Sequence, residues 1–287
     1  MNLKKQSWML KVLKSGFFVT IQDLGRFGYR DIGVPVSGAM DAISVKKANL
    51  LLENDPNDAV MEITMTGPTL QFEEPTYICL SGAHIAATLN NQPVENYQVV
   101  KVNKGDILSY GRLDDGFRAY LAVKGGFQTE MVLGSRSQFV PVTLKKRLKD
   151  GDEVNYGEIH SYDPIISEVK IEEHFHKDYL EVHKGPEFSL LSDEQWAEVF
   201  SKTFTVSKEN NRMAYQLSEL ITGHSHSMLT SGTLPGTVQF TPAGRLIILM
   251  KDGQTTGGYP RILQLSEDSI CTLAQKKLGD KLTFKLM

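Results

Sequence analysis

The 287-residue chain is a succession of short apolar runs, each cut off by Gly, Pro, Asn or Asp. Phe17-Phe18-Val19-Thr20-Ile21, Tyr97-Gln98-Val99-Val100-Lys101-Val102, Arg118-Ala119-Tyr120-Leu121-Ala122-Val123 and Leu246-Ile247-Ile248-Leu249-Met250 are examples. Their length and their β-branched and aromatic content favour strand over helix, so a mainly β chain is predicted. Asn90-Asn91-Gln92-Pro93 reads as a hairpin tip. Three stretches echo one another: Asn103-Lys104-Gly105-Asp106-Ile107, Lys149-Asp150-Gly151-Asp152-Glu153 and Lys277-Leu278-Gly279-Asp280-Lys281. Each predicts a Gly-Asp turn that launches an alternating strand. A weaker echo joins Thr66-Gly67-Pro68 to Lys184-Gly185-Pro186, and together these pairs point to two related β lobes.

Two helices interrupt the pattern. Ser37 is placed to cap a helix running through Asp41 to about Glu53, with Ile43, Ala48, Leu51 and Leu52 for its buried face. Ser192-Asp193-Glu194-Gln195 is a capping box, followed by Trp196, Val199 and Phe200. The stretch from 158 to 173, with Asp163-Pro164 and the charges Glu168, Lys170, Glu172 and Glu173, reads as the link between lobes. That gives an N-terminal lobe of residues 1–160 and a C-terminal lobe of residues 161–287.

Bulk properties remove several function classes. A net charge of −3 without a dense basic block gives no general attraction for nucleic acid or an anionic membrane. The stretch from Met1 to Leu13 carries Lys4, Lys5 and Lys11 but lacks the apolar core of a signal peptide, and no apolar run is long enough to span a bilayer. Cys79 and Cys271 each sit in an apolar run and read as buried small hydrophobes, which suits a cytoplasmic protein.

Three segments concentrate polar chemistry. Gln22-Asp23-Leu24-Gly25-Arg26 follows a strand and leads into Val34-Pro35-Val36-Ser37-Gly38-Ala39-Met40-Asp41. With residues 37–40 at a helix N-terminus, backbone N–H groups would face a carboxylate or phosphate, and Arg26 would clamp the same anion. The competing reading is a surface loop in which Asp23 and Arg26 pair with each other. Lys251-Asp252-Gly253-Gln254-Thr255-Thr256-Gly257-Gly258-Tyr259-Pro260 is the second segment; its glycines and hydrogen-bonding side chains suit close approach of backbone to a ligand. The third, Asn210-Asn211-Arg212-Met213-Ala214-Tyr215, offers Arg212 as an anion contact, against the default of a surface arginine.

Other features are set aside. Gly25, Gly28 and Gly33 lack dinucleotide-fingerprint spacing, and there is no Walker-type loop. Ser81-Gly82-Ala83-His84 lacks the turn of a serine-hydrolase elbow. The pairs His174/His176 and His224/His226 would share a strand face, but nothing completes a zinc site around them, so no metal is expected and they read as solvated loop histidines.

The first segment, from Gln22 to Asp41, and the stretch Gln254 to Pro260 of the second resemble hallmarks of the biotin-dependent carboxyltransferase-like family, which includes the C-type component of bacterial 5-oxoprolinase, KipA and the carboxyltransferase region of urea amidolyase. Further matches are Ala48-Asn49-Leu50-Leu51, Gly67-Pro68, Arg118 to Gly126, Val132-Leu133-Gly134-Ser135-Arg136-Ser137, Gly185-Pro186-Glu187 and Asn211 to Leu217. The chain departs from the family at Asp252-Gly253-Gln254, where Asp-Arg-Gln is usual, and at 210–215, where Ser-Asp-Arg-Met-Gly-Tyr is usual. The resemblance implies two cyclophilin-like β-barrel lobes with a few helices. It implies an ATP-dependent opening of 5-oxoproline to glutamate, carried out with a KipI-like B-type partner and an A-type partner, with ATP handled at the level of the complex. Two alternatives come with it: a carboxyltransferase acting on a urea-like amide with biotin carried on another chain, and a KipA-like protein that antagonises a KipI-like kinase inhibitor.

On that reading Arg26 and the N–H groups of residues 37–40 clamp an anion, and Asp23 or Asp41 orients a nucleophile or takes its proton. Gln22, Ser37, Met40, Arg212, Gln254, Thr255, Thr256 and Tyr259 contact a lactam or amide substrate. The stretches from Gln22 to Asp41 and from Gln254 to Pro260 are expected to fold together and line a common polar cleft between the lobes.

Overall fold

The computed structural model describes residues 8–159, 161–166, 168–170 and 174–287. Lys4 and Lys5 of the N-terminal stretch, and Glu172 and Glu173 of the expected link, lie outside the described residues. The fold is mainly β, as the short runs predict, with three α-helices among the described residues: α1 (Ala42–Leu51), α2 (Asp193–Ser201) and α3 (Glu267–Ala274). No helix among them is long and apolar enough to cross a membrane. The chain divides into two compact units. One comprises Met1–Gly25 with Ala42–Ile171, the other Arg26–Asp41 with Glu172–Met287. Residues 26–41 therefore pack with the later part of the chain, although the strands on either side of them in sequence belong to the first unit.

The first unit is a nine-stranded curled sheet. Its main path runs Phe18–Gln22, Val60–Thr64, Ile107–Val123, Thr69–Phe72, Met9–Lys14, Glu153–Asn155. The long strand Thr76–Leu89 pairs with Ile107–Val123 over most of its length. Alternation along these strands sends Leu10, Val19, Ile21, Met61, Ile63, Leu80 and Leu121 into one core. Each such side chain contributes about 1.5–3 kcal/mol by leaving water. The hairpin expected at Asn90-Asn91-Gln92-Pro93 is present, but its tip is only Asn90 and Asn91, both at positive φ, while Gln92 and Pro93 belong to the returning strand Gln92–Val94 paired with Thr76–Leu89.

The second unit is a closed seven-stranded barrel. Its order is Tyr179–Lys184, Arg261–Leu265, Thr237–Phe240, Arg245–Leu249, Ala214–Leu220, Phe204–Asn210 and Lys281–Leu286. A parallel pairing of Lys281–Leu286 with Tyr179–Lys184 closes it, so no strand edge is left unpaired around the ring. Val182, Phe204, Tyr215, Val238, Ile248 and Phe284 fill the interior.

The capping box is present as read: Ser192 Oγ accepts from Gln195 N, and Gln195 Oε1 accepts from Ser192 N. The other helix start needs correcting. Ser37 caps nothing; α1 begins only at Ala42, and Ser37 sits at φ 56 with its N–H given to Lys251 O at 2.8 Å. Gly38, at φ 85, continues the turn, so residues 37–40 present no helix N-terminus to an anion. Ser-Gly before an apolar stretch satisfied the local capping preference, and the bond to Lys251 won over it.

Candidate functional site

In the first unit the strand Phe18–Gln22 ends on Gln22 and Asp23. Asp23 is buried. Its Oδ1 accepts from Ser137 Oγ (2.6 Å), Ser135 Oγ (2.7 Å) and Gly25 N (2.9 Å), and its Oδ2 from Arg136 N (2.6 Å). Those four donors occupy the carboxylate. The motif 132–137 thus acquires a physical role: Leu133 and Gly134, both at positive φ, turn the chain so that two hydroxyls and a backbone N–H converge on Asp23. Gln22 is buried as well, its Nε2 donating to Thr20 Oγ1 and Gln138 O.

In the second unit residues 26–41 run beside the segment that leaves the strand Arg245–Leu249. Ser37 N bonds Lys251 O. Arg212 is buried, not a surface arginine. Its Nε and Nη2 grip Asp252 through both carboxylate oxygens (2.8 and 3.1 Å), while Nη2 also reaches Gly38 O at 2.7 Å. One guanidinium therefore ties the 26–41 segment to the 251–260 segment. Arg30 adds a second tie by donating to Thr233 O, and burial lowers its pKa from the ordinary value. Thr233 in turn fastens the loop: Thr233 N donates to Thr255 O at 3.0 Å and its hydroxyl to Gln254 O at 2.5 Å.

That scaffold leaves side chains exposed where the sequence places ligand contacts. Gln254, Thr256 and Tyr259 are exposed and Thr255 is half-buried. Beneath the loop, Gln239 is buried, and its Nε2 has no hydrogen-bond partner among the described residues. A Cβ on Gly257 would come within 2.2 Å of that nitrogen, so glycine is what lets the loop lie so low. Ser37 Oγ is a second buried polar atom without a hydrogen-bond partner among the described residues. A buried donor left unpaired costs about 1–3 kcal/mol, and such atoms cluster where a ligand completes the set.

The remaining expected site residues occupy different settings. Arg26 is fully buried, its N–H bonded to Val36 O. Met40 packs in the barrel's apolar core. Asp41 is fully buried; its Oδ2 accepts from Gln275 Nε2 at 2.8 Å and lies 3.0 Å from His174 Nε2. His174 is thus no solvated loop histidine but a buried partner of Asp41, with its own carbonyl accepting from Thr272 Oγ1. His176 and His226 are exposed, as expected of solvated histidines, while the half-buried His224 lies 3.1 Å from Phe240 O and stacks on His226.

The two departures from the family pattern have structural counterparts. A Cβ at Gly253 would meet Met250 O at 2.8 Å and Met213 O at 3.2 Å, so this backbone has no room for an arginine stem. Asn211 Oδ1 accepts from Met213 N and Ala214 N, the turn bonds an aspartate would make. The sequence reading missed Ser135, Ser137, Thr233, Gln239, Asp252 and Gln275. Ser135, Ser137 and Asp252 fall inside stretches singled out in the sequence, but their partners Asp23 and Arg212 lie far from them along the chain; Thr233, Gln239 and Gln275 fall in none.

The family model described as carboxyltransferase domain, subdomain A and B, matches residues 32–286. The chain is 34% identical to the C-type component of 5-oxoprolinase from Escherichia coli over 96% of its own length and 90% of that protein's. Among solved structures, TTHA0988 aligns with a TM-score of 0.88 at 25% identity, covering 98% of this chain and 56% of that one. The urea amidolyase of Kluyveromyces lactis aligns with a TM-score of 0.86 at 27% identity, covering 99% of this chain and 19% of that one.

Proposed function

The chain belongs to the carboxyltransferase domain family, and from that premise we propose that it is the C-type component of an ATP-dependent 5-oxoprolinase. It acts with an A-type and a KipI-like B-type partner to open 5-oxo-L-proline to L-glutamate, with ATP as co-substrate of the complex. The observation that carries this reading is the match to the C-type component of 5-oxoprolinase along nine-tenths of that protein, against a fifth of the urea amidolyase chain.

A lactam carbonyl is a poor electrophile because the ring nitrogen donates into it. Phosphorylation of the amide oxygen by ATP makes the carbon reactive; the protein must then hold the ring and stabilise charge on oxygen. In this chain the exposed Gln254 and Thr256 and the half-buried Thr255 supply donors and acceptors for a cyclic amide, and Tyr259 supplies a flat face. Arg212, bound to both Asp252 and Gly38 O, is a positioning residue that fixes the loop. Asp23, with both oxygens engaged, and the fully buried Asp41, whose Oδ2 holds Gln275 and His174, fit the same supporting role better than that of a base.

The test is co-expression with the A-type and B-type partners, followed by ATP-dependent glutamate release from 5-oxoproline. Thr255→Val, which keeps shape and loses the hydroxyl, should lower turnover about tenfold, the loss of one transition-state hydrogen bond. Full activity of the complex without this chain would remove the proposal. The fold shared with urea amidolyase supports a second reading, carboxyl transfer to a urea-like amide from biotin on another chain. Biotin-dependent carboxylation by the purified assembly, with no glutamate release, would select it.

A further inference from the structure

We propose that a cavity of about 290 Å³ in the first unit, behind the turn that holds Asp23, binds a small carboxylate. Its polar walls include Thr129, Glu130, Arg136, Gln138, Lys145 and Glu153. The volume sits at the lower edge of the 300–1,000 Å³ typical of small-molecule sites, so the ligand is smaller than drug-sized.

Gln138 carries the assignment. It is 8% exposed and bonded on three sides to the strand that leads into Asp23. Gln138 N donates to Ile21 O at 2.9 Å, Gln138 O accepts from Gln22 Nε2 at 3.2 Å, and Gln138 Oε1 accepts from Ile21 N at 3.1 Å. Only oxygen can accept from Ile21 N, so the amide nitrogen is the end left for the cavity. That nitrogen has no acceptor among the described residues. Thr129 Oγ1, on the same lining, is buried without a hydrogen-bond partner among the described residues. Arg136 donates to Thr129 O and to Gln128 Oε1, neither of them an anion. Lys145, by contrast, is already matched by Asp152 at 2.7 Å.

An amide N–H₂, a hydroxyl and a guanidinium in one cavity are donors that a carboxylate would match with two strong acceptor oxygens. Glu130 and Glu153, both exposed, work against a second negative charge, which favours a monocarboxylate. Arg136 N is also bonded to Asp23 Oδ2, so the cavity and the Asp23 turn share a residue. The cavity shares no lining residue with the 251–260 loop, and the proposal stands whether or not the chain acts on 5-oxoproline.

The experiment is calorimetric titration of the full chain with sodium butyrate, and with butyramide as the uncharged match. Butyrate should saturate one site, with butyramide about tenfold weaker, the worth of one charge-assisted bond. Gln138→Glu keeps the acceptor for Ile21 N, replaces the donor by a second carboxylate oxygen, and should weaken butyrate by at least about tenfold. Because that change buries a charge, Glu130→Gln at the exposed rim provides a second arm; it should tighten butyrate about twofold. The proposal is overturned if butyrate does not saturate below ~10 mM, if butyramide binds as well, if folded Gln138→Glu binds unchanged, or if Glu130→Gln does not tighten binding.

Discussion

Ser37 shows how a single residue misleads in sequence and informs in structure. Its φ of 56 lies in the left-handed region that costs a side-chain-bearing residue about 1–2 kcal/mol. Its buried hydroxyl adds an unpaired donor. Nothing in the local sequence revealed either fact, because the bond that holds it there comes from Lys251, more than two hundred residues on. Ser37→Gly should therefore raise unfolding stability by about 1 kcal/mol, measured by urea titration. If the hydroxyl contacts substrate, the same change lowers glutamate release by the assembled complex; unchanged turnover would remove Ser37 from the contact set. The polar residues of 251–260 were legible because glycines and hydroxyls after an apolar strand need a reason to be there. Arg212 was visible as a charge but not as a clamp, since Asp252 and Gly38 meet it only in three dimensions.

Among the elements, the Gly-Asp turns were the most legible, and they share more than a sequence. Gly105, Gly151 and Gly279 all lie at φ between 81 and 91. In each turn the aspartate carboxylate accepts from the N–H three residues earlier: Asp106 from Asn103, Asp152 from Lys149, Asp280 from Lys277, at 2.7 to 2.9 Å. Each glycine N–H then docks on a neighbouring strand, at Phe72 O, Val12 O and Val206 O. Replacing any of the three aspartates by Ala should cost about 1 kcal/mol. The order should place Asp280 lowest, because Asp106 also holds Asn90 Nδ2 and Asp152 also holds Lys145 Nζ, whereas Asp280 meets only Lys277 at 3.5 Å. Urea titration of the three variants checks the ranking. Helix α2 was readable from its box for the same reason the turns were: all its determinants are local. Helix α3 was not, because Ile270-Cys271-Thr272-Leu273 reads as a strand-like run until burial on nearly every side makes a short helix favourable.

At the scale of the whole molecule, several carboxylates sit below their ordinary pKa. Arg261 holds Glu187 down through two side-chain bonds, Lys202 does so for Glu198, and Ser15 does so for Asp150. A folded pKa below the unfolded value gives stability that is complete above the unfolded pKa, about 4, and is lost as pH falls through the folded one. Unfolding stability should thus be flat from neutral pH down to about 5 and drop progressively below about 4. In Glu187→Gln the loss on acidification should be smaller than in the native chain, with urea midpoints across pH as the measure. The two-lobe reading of the sequence rested on repeated turns, and it carried no hint that the chain order and the packing order differ. That difference has a practical meaning for anyone who wishes to dissect the gene. The barrel borrows Met40 for its interior and Asp41 to anchor His174 and Gln275. A fragment that starts downstream of the lobe junction would be missing both, so this half of the protein cannot be cloned out as one uninterrupted stretch.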